Sequence, residues 1–488
     1  MEEFLSPALA FFRQWYWVPL ALVYSGVIVT ILAENRNPTK TLAWLLLIVF
    51  LPGVGLLIYF FFGRRFRKKI LFRKKNKAEH EVFFRRWEKE RPVFERRLEE
   101  LEASLGDLAG IYRFLLNENV SAPIGNNKVS LLINGEQKFP AMMEAIAEAR
   151  HHIHLEYYIY ELDSVGQALI DLLIRKAGEG VEVRFLVDDF GSPRMVRQER
   201  LMREAGIHLI RFLPVRFTSL SDSNFRNHRK VAIIDGYTAF VGGINIAERY
   251  QNDRGNSPYW RDTSVKIQGD SVILLQFQYW LTWHFSEGEP FKLTRQYLWQ
   301  NQHPLGTSTI SYALSDPGSP APYNMEAILI AISRASKSIQ ICTPYYVPSE
   351  QISTALQVAA ASGIRVELIM PMSSDSFIVH HASFSFLKPL LQRGVDVYLY
   401  KKGFMHAKTL VVDEKIAFVG TVNMDIRSYY INFEIAAVIY DQNLCLQLRD
   451  QFEMDKSHSQ YVNMAYWKKR PLMKRALDSV CRLLAPLL

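Results

Sequence analysis

A motif that occurs twice constrains the fold of this chain more than any other feature. The first copy is NHRKVAIIDGYTAFVGGINI and the second is MHAKTLVVDEKIAFVGTVNM. Both follow the pattern H-x-K-x4-D, and both continue with G-[GT]-x-N at the same offset. One H-x-K-x4-D is expected by chance in about a few of every hundred chains of this length, so a single copy would carry little weight. Two copies with the same apolar filling and the same tail predict a duplicated structural unit.

Each copy supplies the same four polar side chains. They are His228, Lys230, Asp235 and Asn245 in the first copy, and His406, Lys408, Asp413 and Asn423 in the second. The β-branched runs between lysine and aspartate predict buried strands. Because side chains alternate along a strand, the histidine and the lysine of each copy share one face. The two aspartates lie at the turns with opposite parity, so we expect them to support the site rather than to contact a ligand.

Two such hairpins, brought together, would place two imidazoles and two ammonium groups around one pocket. This set of groups suits a phosphodiester. Lysines can hold the non-bridging oxygens, one histidine can attack phosphorus, and the other can protonate the leaving oxygen. The alternative is that these are ordinary buried histidines in hairpins, and the matched pair of motifs argues against it.

The motifs resemble those of the phospholipase D superfamily. The resemblance extends to RNPTKTLAWLLLIVFLPGVGLLIYFFFG near the N-terminus, to YWRDTSVKIQGD after the first motif and to the closing LLAPLL. Over nearly the whole chain the sequence is most similar to the bacterial cardiolipin synthases. The resemblance implies an α/β fold in which two pseudo-twofold-related phospholipase D-like halves form one catalytic body, preceded by an N-terminal two-helix membrane anchor.

The resemblance also implies a reaction. Phosphatidylglycerol would be both donor and acceptor, and two molecules would give cardiolipin and glycerol through a covalent phosphohistidine, without nucleotide, cofactor or metal. It favours His228 as nucleophile and His406 as general acid and then base, although spacing alone does not separate the two roles. Glu434 resembles the family carboxylate that orients a catalytic imidazole. Asp262 is its counterpart in the first half, at 27 rather than 21 residues beyond the motif aspartate.

An internal repeat sets the predicted domain boundaries. Each half gives a helix pattern, short apolar strands and then the histidine motif, which is typical of a layered α/β fold. The predicted segments are a transmembrane helical hairpin at 1–63, a basic amphipathic connector at 64–125, the first phospholipase D-like half at 126–290, a linker at 291–310, the second half at 311–465 and a C-terminal basic amphipathic helix at 466–488.

The N-terminal segment predicts a multi-pass membrane protein. Trp15–Ala33 and Thr41–Phe62 are charge-free apolar runs of 19 and 22 residues, each long enough to span about 30 Å as a helix. Pro52-Gly53 leaves a re-entrant pair of half-helices as an alternative. Arg64–Lys77 carries nine basic residues and no acid. The positive-inside rule therefore places the catalytic body on the cytoplasmic side of a bacterial plasma (inner) membrane, beside anionic lipid.

Two further segments leave alternatives open. Glu79–Leu105 predicts a charged helix broken at Pro92, which either lies on the membrane surface or packs on the body. Trp467–Leu488 predicts a basic amphipathic helix, for which we favour contact with the membrane surface over docking on the body.

Side chains outside the motifs suggest fewer functions. Tyr157, Tyr158, Tyr345 and Tyr346 occupy corresponding places in the repeat and either line the pocket or belong to the core. Neither His151, His152 and His154 nor His380 and His381 have partners at metal-ligand spacing, so no metal site is predicted. Three scattered cysteines fit a reducing compartment.

Three functions compete at this point. Lipid transfer is the first. A membrane-bound phospholipase D or other phosphodiesterase of the superfamily, including a nuclease, is the second, because the chain carries a formal net charge of +9. A silent scaffold is the third, and both intact motifs argue against it. The basic residues are concentrated beside the apolar runs, which favours phosphatidylglycerol and anionic membrane lipid as partners over nucleic acid. The oligomeric state is left open.

Overall fold

The computed structural model describes residues 14–15, 17–33, 38–59, 77–118, 120–214, 224–255, 258–286, 288–298 and 305–485. The chain divides into two units. One comprises Met1–Leu71 with Phe217–Asn224, and the other comprises Phe72–Arg216 with Phe225–Leu488.

The helices of the N-terminal unit are α1 (Trp17–Ala33), α2 (Pro38–Phe50) and α3 (Val54–Ile58). The second apolar run is interrupted at Pro52-Gly53, as its sequence predicts, because Gly53 has a φ of +83° that ends the regular helix. Its amide donates to the Tyr24 hydroxyl at 2.7 Å. Among the described residues, no helix is long and apolar enough to cross a membrane. The two-helix anchor stays a prediction, and residues 64–76 of the basic run lie outside the described residues.

The second unit contains the predicted repeat. Its strands are β1 (Ile124–Ile133), β2 (His152–Tyr157), β3 (Glu182–Asp188), β4 (His208–Phe212), β5 (Lys230–Ile234), β6 (Thr238–Gly242), β7 (Tyr259–Arg261), β8 (Thr263–Gly269), β9 (Ser308–Ser315), β10 (Ser338–Cys342), β11 (Tyr346–Val347), β12 (Arg365–Pro371), β13 (Asp396–Tyr400), β14 (Gly403–Met405), β15 (Thr409–Val412), β16 (Ile416–Gly420), β17 (Met424–Asp425), β18 (Glu434–Tyr440) and β19 (Ser459–Val462).

Its helices are α4 (Lys77–Leu105), α5 (Ala109–Asn117), α6 (Asn134–Ala147), α7 (Ser164–Gly178), α8 (Glu199–Glu204), α9 (Val272–Phe285), α10 (Tyr323–Ser333), α11 (Glu350–Ala361), α12 (Phe377–Ser385), α13 (Leu387–Gln392), α14 (Ile426–Tyr430), α15 (Gln442–Ser457), α16 (Met464–Lys468) and α17 (Leu472–Arg482). Single 3₁₀ turns occur at Gly106–Leu108, Pro193–Arg197, Glu248–Tyr250, Asn252–Arg254 and Arg295–Tyr297.

Within the described residues, fifteen strands form one sheet in the order β19-β13-β12-β10-β15-β16-β18-β9-β1-β8-β6-β5-β2-β3-β4. Outward from the central antiparallel pair β1–β9, the first six strands on each side follow the same order, and β19 adds one more at the edge of the second half. On one side β2, β3 and β4 are parallel and β5 is antiparallel to β2. On the other side β10, β12 and β13 are parallel and β15 is antiparallel to β10. The sheet therefore confirms two repeated halves related by a pseudo-twofold axis between β1 and β9.

The apolar core has two kinds of cluster, one within each half and one shared between the halves. Each half buries its own apolar cluster under its helices, around Leu155 and Phe185 in the first half and around Ile341 and Leu368 in the second. A third cluster is shared, because Val231 and Val265 of the first half pack in the same core as Val411 and Ile435 of the second. The shared core joins the strands that carry the two motifs, and burial of this apolar surface is what fixes one half against the other.

Helix α4 corrects one expectation and decides between two others. It runs without interruption through Pro92, so the predicted break there is wrong. Trp87 is buried against Leu116, and Leu98 joins the core of the second half. Of the two alternatives for this segment, the part from Trp87 onward packs on the body, because these apolar side chains find partners there.

The motif aspartates cap the hairpins, which agrees with their predicted supporting place. Asp235 and Asp413 lie at the hairpin turns with φ of +53° and +54°. The Asp235 carboxylate accepts from the amides of residues 150–152 at 2.8–3.0 Å. Asp413 accepts from the amides of residues 336–338 at 2.7–2.9 Å. Each carboxylate thus binds the start of the neighbouring antiparallel strand, β2 or β10, and lies away from the histidine–lysine face.

Candidate active site

Two short strand-like contacts cross from one half to the other and bring the motifs together. In the first, Asn227 bridges to Phe433 in parallel, and the His228 amide donates to the Phe433 carbonyl at 3.0 Å. In the second, β14 pairs with β7 in parallel, and the His406 amide donates to the Arg261 carbonyl at 2.7 Å. Each histidine is therefore held by backbone of the opposite half.

The second contact depends on a glycine. The backbone of Gly403 lies so close to Tyr259 that a Cβ atom would come within 2.0 Å of the Tyr259 carbonyl oxygen. That contact is with backbone, which cannot rotate away as a side chain could. Any larger residue at position 403 would push β14 off β7 and move His406 with it.

These contacts place a carboxylate of one half on the histidine of the other. His228 Nδ1 lies 2.9 Å from Glu434 Oε1 and 3.1 Å from Glu434 Oε2. His406 Nδ1 lies 2.6 Å from Asp262 Oδ2. The sequence predicted both carboxylates as partners of catalytic imidazoles. The exchange between halves was not predicted, because the motif order along the chain does not encode it.

The residue after the first motif glycine supports each carboxylate in a different way. In the second motif the Thr421 hydroxyl donates to Glu434, and Asn432 Nδ2 donates to the same carboxylate at 3.1 Å. In the first motif a Cβ on Gly243 would come within 2.2 Å of Asp262 Oδ1, so only glycine leaves room for that carboxylate. The second residue of G-[GT] thus differs with its function: Thr421 hydrogen-bonds Glu434, whereas Gly243 leaves space for Asp262.

The two motif lysines are buried beside the histidines. Lys230 Nζ donates to the His228 carbonyl at 2.6 Å, and Lys408 Nζ donates to the His406 carbonyl at 2.5 Å. Burial lowers the pKa of Lys230 well below its usual range, and the nearby Lys408 lowers it further. Burial lowers the pKa of Lys408 to about 8, although Asp262 and Glu434 oppose the change. Two crowded cations in a buried pocket would be stabilised by a bound anion.

Both imidazoles are held neutral. Burial lowers the pKa of His228 to about 4 against the opposing pull of Glu434. Burial and Lys408 lower the pKa of His406 to about 4, against Asp262. Burial alone would raise the pKa of Glu434, but hydrogen bonds from His228 and Thr421 and the nearby Lys230 lower it below its usual value. A neutral imidazole that gives its Nδ1–H to a carboxylate leaves the Nε2 lone pair available for attack or proton transfer.

The asparagines of the motif tails hold neighbouring loops. Asn245 Oδ1 accepts from the Ile159 amide at 3.0 Å, and its Nδ2 donates to the Tyr250 hydroxyl at 3.0 Å. Asn423 is buried and hydrogen-bonds the Asp425 carboxylate. Both are close to the motif in sequence, and their described contacts are with protein groups that shape the pocket.

Only one tyrosine of each predicted pair faces the site. The Tyr158 ring lies 5.0 Å from the His228 ring, and Tyr345 packs on Phe404, whose ring is 5.7 Å from His406. Tyr157 and Tyr346 are core residues. Trp260, which was not predicted as a site residue, also lies at the site, with its ring 5.3 Å from the His406 ring. Its place immediately before Arg261-Asp262 was the signal that could have identified it.

His152, His154 and His381, which were weighed as metal ligands, have protein partners. His152 and His154 lie in β2, and Gln276 bridges them, with its Nε2 2.8 Å from His154 Nδ1. His381 Nδ1 lies 2.7 Å from Asp478. In the part of the chain that the structure describes, no group of three or more His, Cys, Asp and Glu side chains could hold a metal ion.

The fold and the paired motifs define a phospholipase D-like protein, and comparisons with known proteins agree. The chain matches the model of the cardiolipin synthase, PLD-like domain over residues 142–257 and 328–456, and the phospholipase D-nuclease N-terminal model over 22–64. It is 38% identical to the cardiolipin synthase of Alkalihalophilus pseudofirmus over 473 residues, covering 96% of this chain and 92% of that one. It is also 38% identical to cardiolipin synthase 1 of Bacillus anthracis over 477 residues, covering 95% and 92%.

The chain therefore belongs to the bacterial cardiolipin synthase family of the phospholipase D superfamily. Among solved structures, it is similar to the phosphatidylserine synthase of Haemophilus influenzae, with a TM-score of 0.59 and 16% identity over 74% of this chain and 95% of that one. That likeness supports the fold alone.

Proposed function

We propose that the protein joins two phosphatidylglycerol molecules into cardiolipin and releases glycerol, by transphosphatidylation through a covalent phosphohistidine. The observation that carries the proposal is the pairing of His228 with Glu434 and of His406 with Asp262 across the two halves. Lys230 and Lys408 are both buried and lie close enough to interact electrostatically with each other. One nucleophile, one acid–base group and a cationic cradle are what exchange of one phosphodiester for another requires.

In the first step, His228 Nε2 attacks the phosphorus of the donor lipid. A P–N bond forms, the P–O bond to the glycerol head group breaks, and His406 Nε2–H protonates the departing alkoxide. In the second step, His406 takes the proton from a head-group hydroxyl of the acceptor lipid. That oxygen attacks phosphorus, the P–N bond breaks and His228 is restored. Lys230 and Lys408 stabilise the charge that develops on the non-bridging oxygens.

The protonation states fit this order if substrate binding changes one of them. Burial keeps His228 neutral, as a nucleophile must be. His406 must instead carry a proton when the leaving group departs. The negative charge of the bound phosphodiester opposes the lysine field that lowers the pKa of His406, so substrate binding favours its protonation.

The first prediction concerns the products. Purified full-length protein, given vesicles of phosphatidylglycerol without nucleotide or added metal, should form cardiolipin and free glycerol in equal amounts, as measured by mass spectrometry of lipid and aqueous phases. His406→Ala is the control for background turnover. Phosphatidic acid as the main product would mean a phospholipase D. Cleavage of single-stranded DNA in a parallel reaction would favour the nuclease alternative.

We also propose that the protein is bound to the bacterial inner membrane through its N-terminal segment, with the catalytic body on the cytoplasmic side. The support is the pair of apolar runs followed by nine basic residues in Arg64–Lys77. A cysteine placed at the exposed Gln296 should resist an impermeant thiol reagent in intact cells and react after the membrane is permeabilised. The three native cysteines are buried and supply a low background. Labelling in intact cells would contradict the proposal and place the catalytic body outside the cytoplasm.

A further inference from the structure

The C-terminal helix α17 binds the body through an unusual face. Its buried side chains are Asp478, Cys481 and, just beyond the helix, Ala485. Asp478 accepts from both His381 and Arg470 at 2.7 Å, and Cys481 and Ala485 pack with Val347 and Ala382 of the second half. The helix is thus fixed to α12 by small side chains and one buried ionic cluster.

Leu477 is partly buried against the same cluster, but the other large apolar side chains of α17 are exposed. Leu472, Met473, Val480 and Leu483 are 61–83% exposed, and Leu484 is 40% exposed. On the adjacent α12, Phe377 and Ile378 are 65% and 40% exposed. This surface, hereafter the α12–α17 platform, is a concentration of large apolar groups that a water-facing surface would not favour.

The exposed charges on and beside α17 are all positive, whereas the exposed Asp375 lies two residues before α12. Exposed cations on or beside α17 are Lys468, Lys469, Lys474, Arg475 and Arg482. Asp478 is the single acidic residue between positions 464 and 485, and it is buried and already paired. Exposed apolar side chains with neighbouring cations match an anionic bilayer surface, where the apolar groups enter the acyl boundary and the cations contact head groups.

The platform lies next to the candidate site. Helix α12 begins at Phe377, two residues after Asp375, which accepts from the Tyr345 hydroxyl at 2.7 Å. Two residues of chain span at most about 7 Å. Tyr345 in turn packs on Phe404 beside His406. The start of α12 is therefore connected to the His406 side of the site through three consecutive side-chain contacts.

We propose that the α12–α17 platform docks the catalytic body on the surface of an anionic bilayer, so that lipid substrates enter the site from the membrane at its His406 side. The entry of lipid substrates from the membrane rests on the proposed function, whereas docking of the platform on a bilayer does not depend on it. It gives the C-terminal helix a role separate from that of the N-terminal segment. One segment attaches the protein, and the platform sets the orientation of the pocket on the lipid surface.

A probe of position tests docking without any reaction. In full-length protein carrying Met473→Cys, an environment-sensitive thiol fluorophore should be quenched by spin-labelled lipid in vesicles containing phosphatidylglycerol. The matched control is Met454→Cys on α15, whose side chain is 58% exposed outside the platform and should not be quenched. Equal quenching at both positions, or none at Met473→Cys, overturns the proposal. Chain-to-chain crosslinking at Met473→Cys would also overturn it, because a second copy would then cover the face.

Activity on two physical forms of the lipid tests orientation. The variant Met473→Glu/Leu483→Glu should lose about tenfold of its transfer rate on vesicles, since two exposed apolar side chains that would enter the bilayer are replaced by charges that anionic lipid repels. With monomeric short-chain phosphatidylglycerol it should stay within about twofold of the unmodified protein. The control Met454→Glu/Val358→Glu should keep both rates. Equal loss on both substrates, or no loss on vesicles, overturns the proposal. An unmodified protein that transfers neither lipid would contradict the proposed function while leaving the quenching result to decide on docking.

Discussion

His228→Ala should abolish lipid transfer together with every sign of a covalent intermediate. His406→Ala should retain the first of the two steps, formation of the phosphohistidine, when the leaving group needs no proton. A nucleophile is needed for every substrate, but a general acid matters only when the leaving alkoxide is basic, as glycerol is. Loss of the acid should cost on the order of 10²–10⁴ in rate with phosphatidylglycerol. Much of that loss should vanish with a nitrophenyl phosphodiester, because nitrophenolate leaves without a proton.

Rapid-mixing absorbance with the nitrophenyl substrate provides the measurement. His406→Ala should give a burst of nitrophenol and then stop, with the phosphoryl group trapped on His228, because the base for the second step is gone. His228→Ala should give no burst with either substrate. His458→Ala, at an exposed histidine outside the site, controls for handling of the protein. A burst that survives in His228→Ala and disappears in His406→Ala would reverse the two roles.

The duplicated unit could be predicted from sequence because its information is local. The pattern that gives β5, β6, β15 and β16 is contained in two stretches of about twenty residues each, and the turns occur where the aspartates predict them. Alternation placed the aspartates off the histidine face, and the structure adds that their carboxylates accept hydrogen bonds from backbone amides of the neighbouring strand. The symmetric order of the sheet then follows from repetition of the same helix and strand patterns in each half.

The contacts between halves could not be predicted from sequence, because no periodicity records them. Glu434 follows the second motif in the chain but contacts the histidine of the first, since Asn227 bridges to Phe433. Tyr157 and Tyr158 are consecutive and point in opposite directions at the end of β2, so that Tyr157 enters the core and Tyr158 contacts His228. The connector helix α4 packs on the body from Trp87 onward because Trp87 and Leu98 join apolar clusters there. Its sequence is strongly charged, so the sequence alone left this packing undecided.

The exchange of carboxylates between halves makes a second large prediction. Glu434→Gln should fail in the same way as His228→Ala, although Glu434 belongs to the second half. Without the carboxylate, His228 loses the partner that fixes its Nδ1–H tautomer and that raises its pKa. We expect a loss on the order of 10²–10⁴ with phosphatidylglycerol, and a similar loss with the nitrophenyl substrate, because attack is impaired for both.

Asp262→Asn should instead behave like His406→Ala. It should show a large loss of transfer rate on phosphatidylglycerol and should recover much of the rate of the nitrophenol burst on the nitrophenyl substrate. Glu367→Gln is the matched control, since Glu367 is also a buried carboxylate but pairs with Lys456 at 2.6 Å. Thermal unfolding of all three variants separates a loss of fold from a loss of catalysis. If each carboxylate variant copied the histidine of its own half, the crossed pairs would not be the working ones. If both lost activity equally on both substrates, the carboxylates would hold the halves together rather than tune one histidine each. Only the crossed pattern of substrate dependence requires that each half complete the active group of the other.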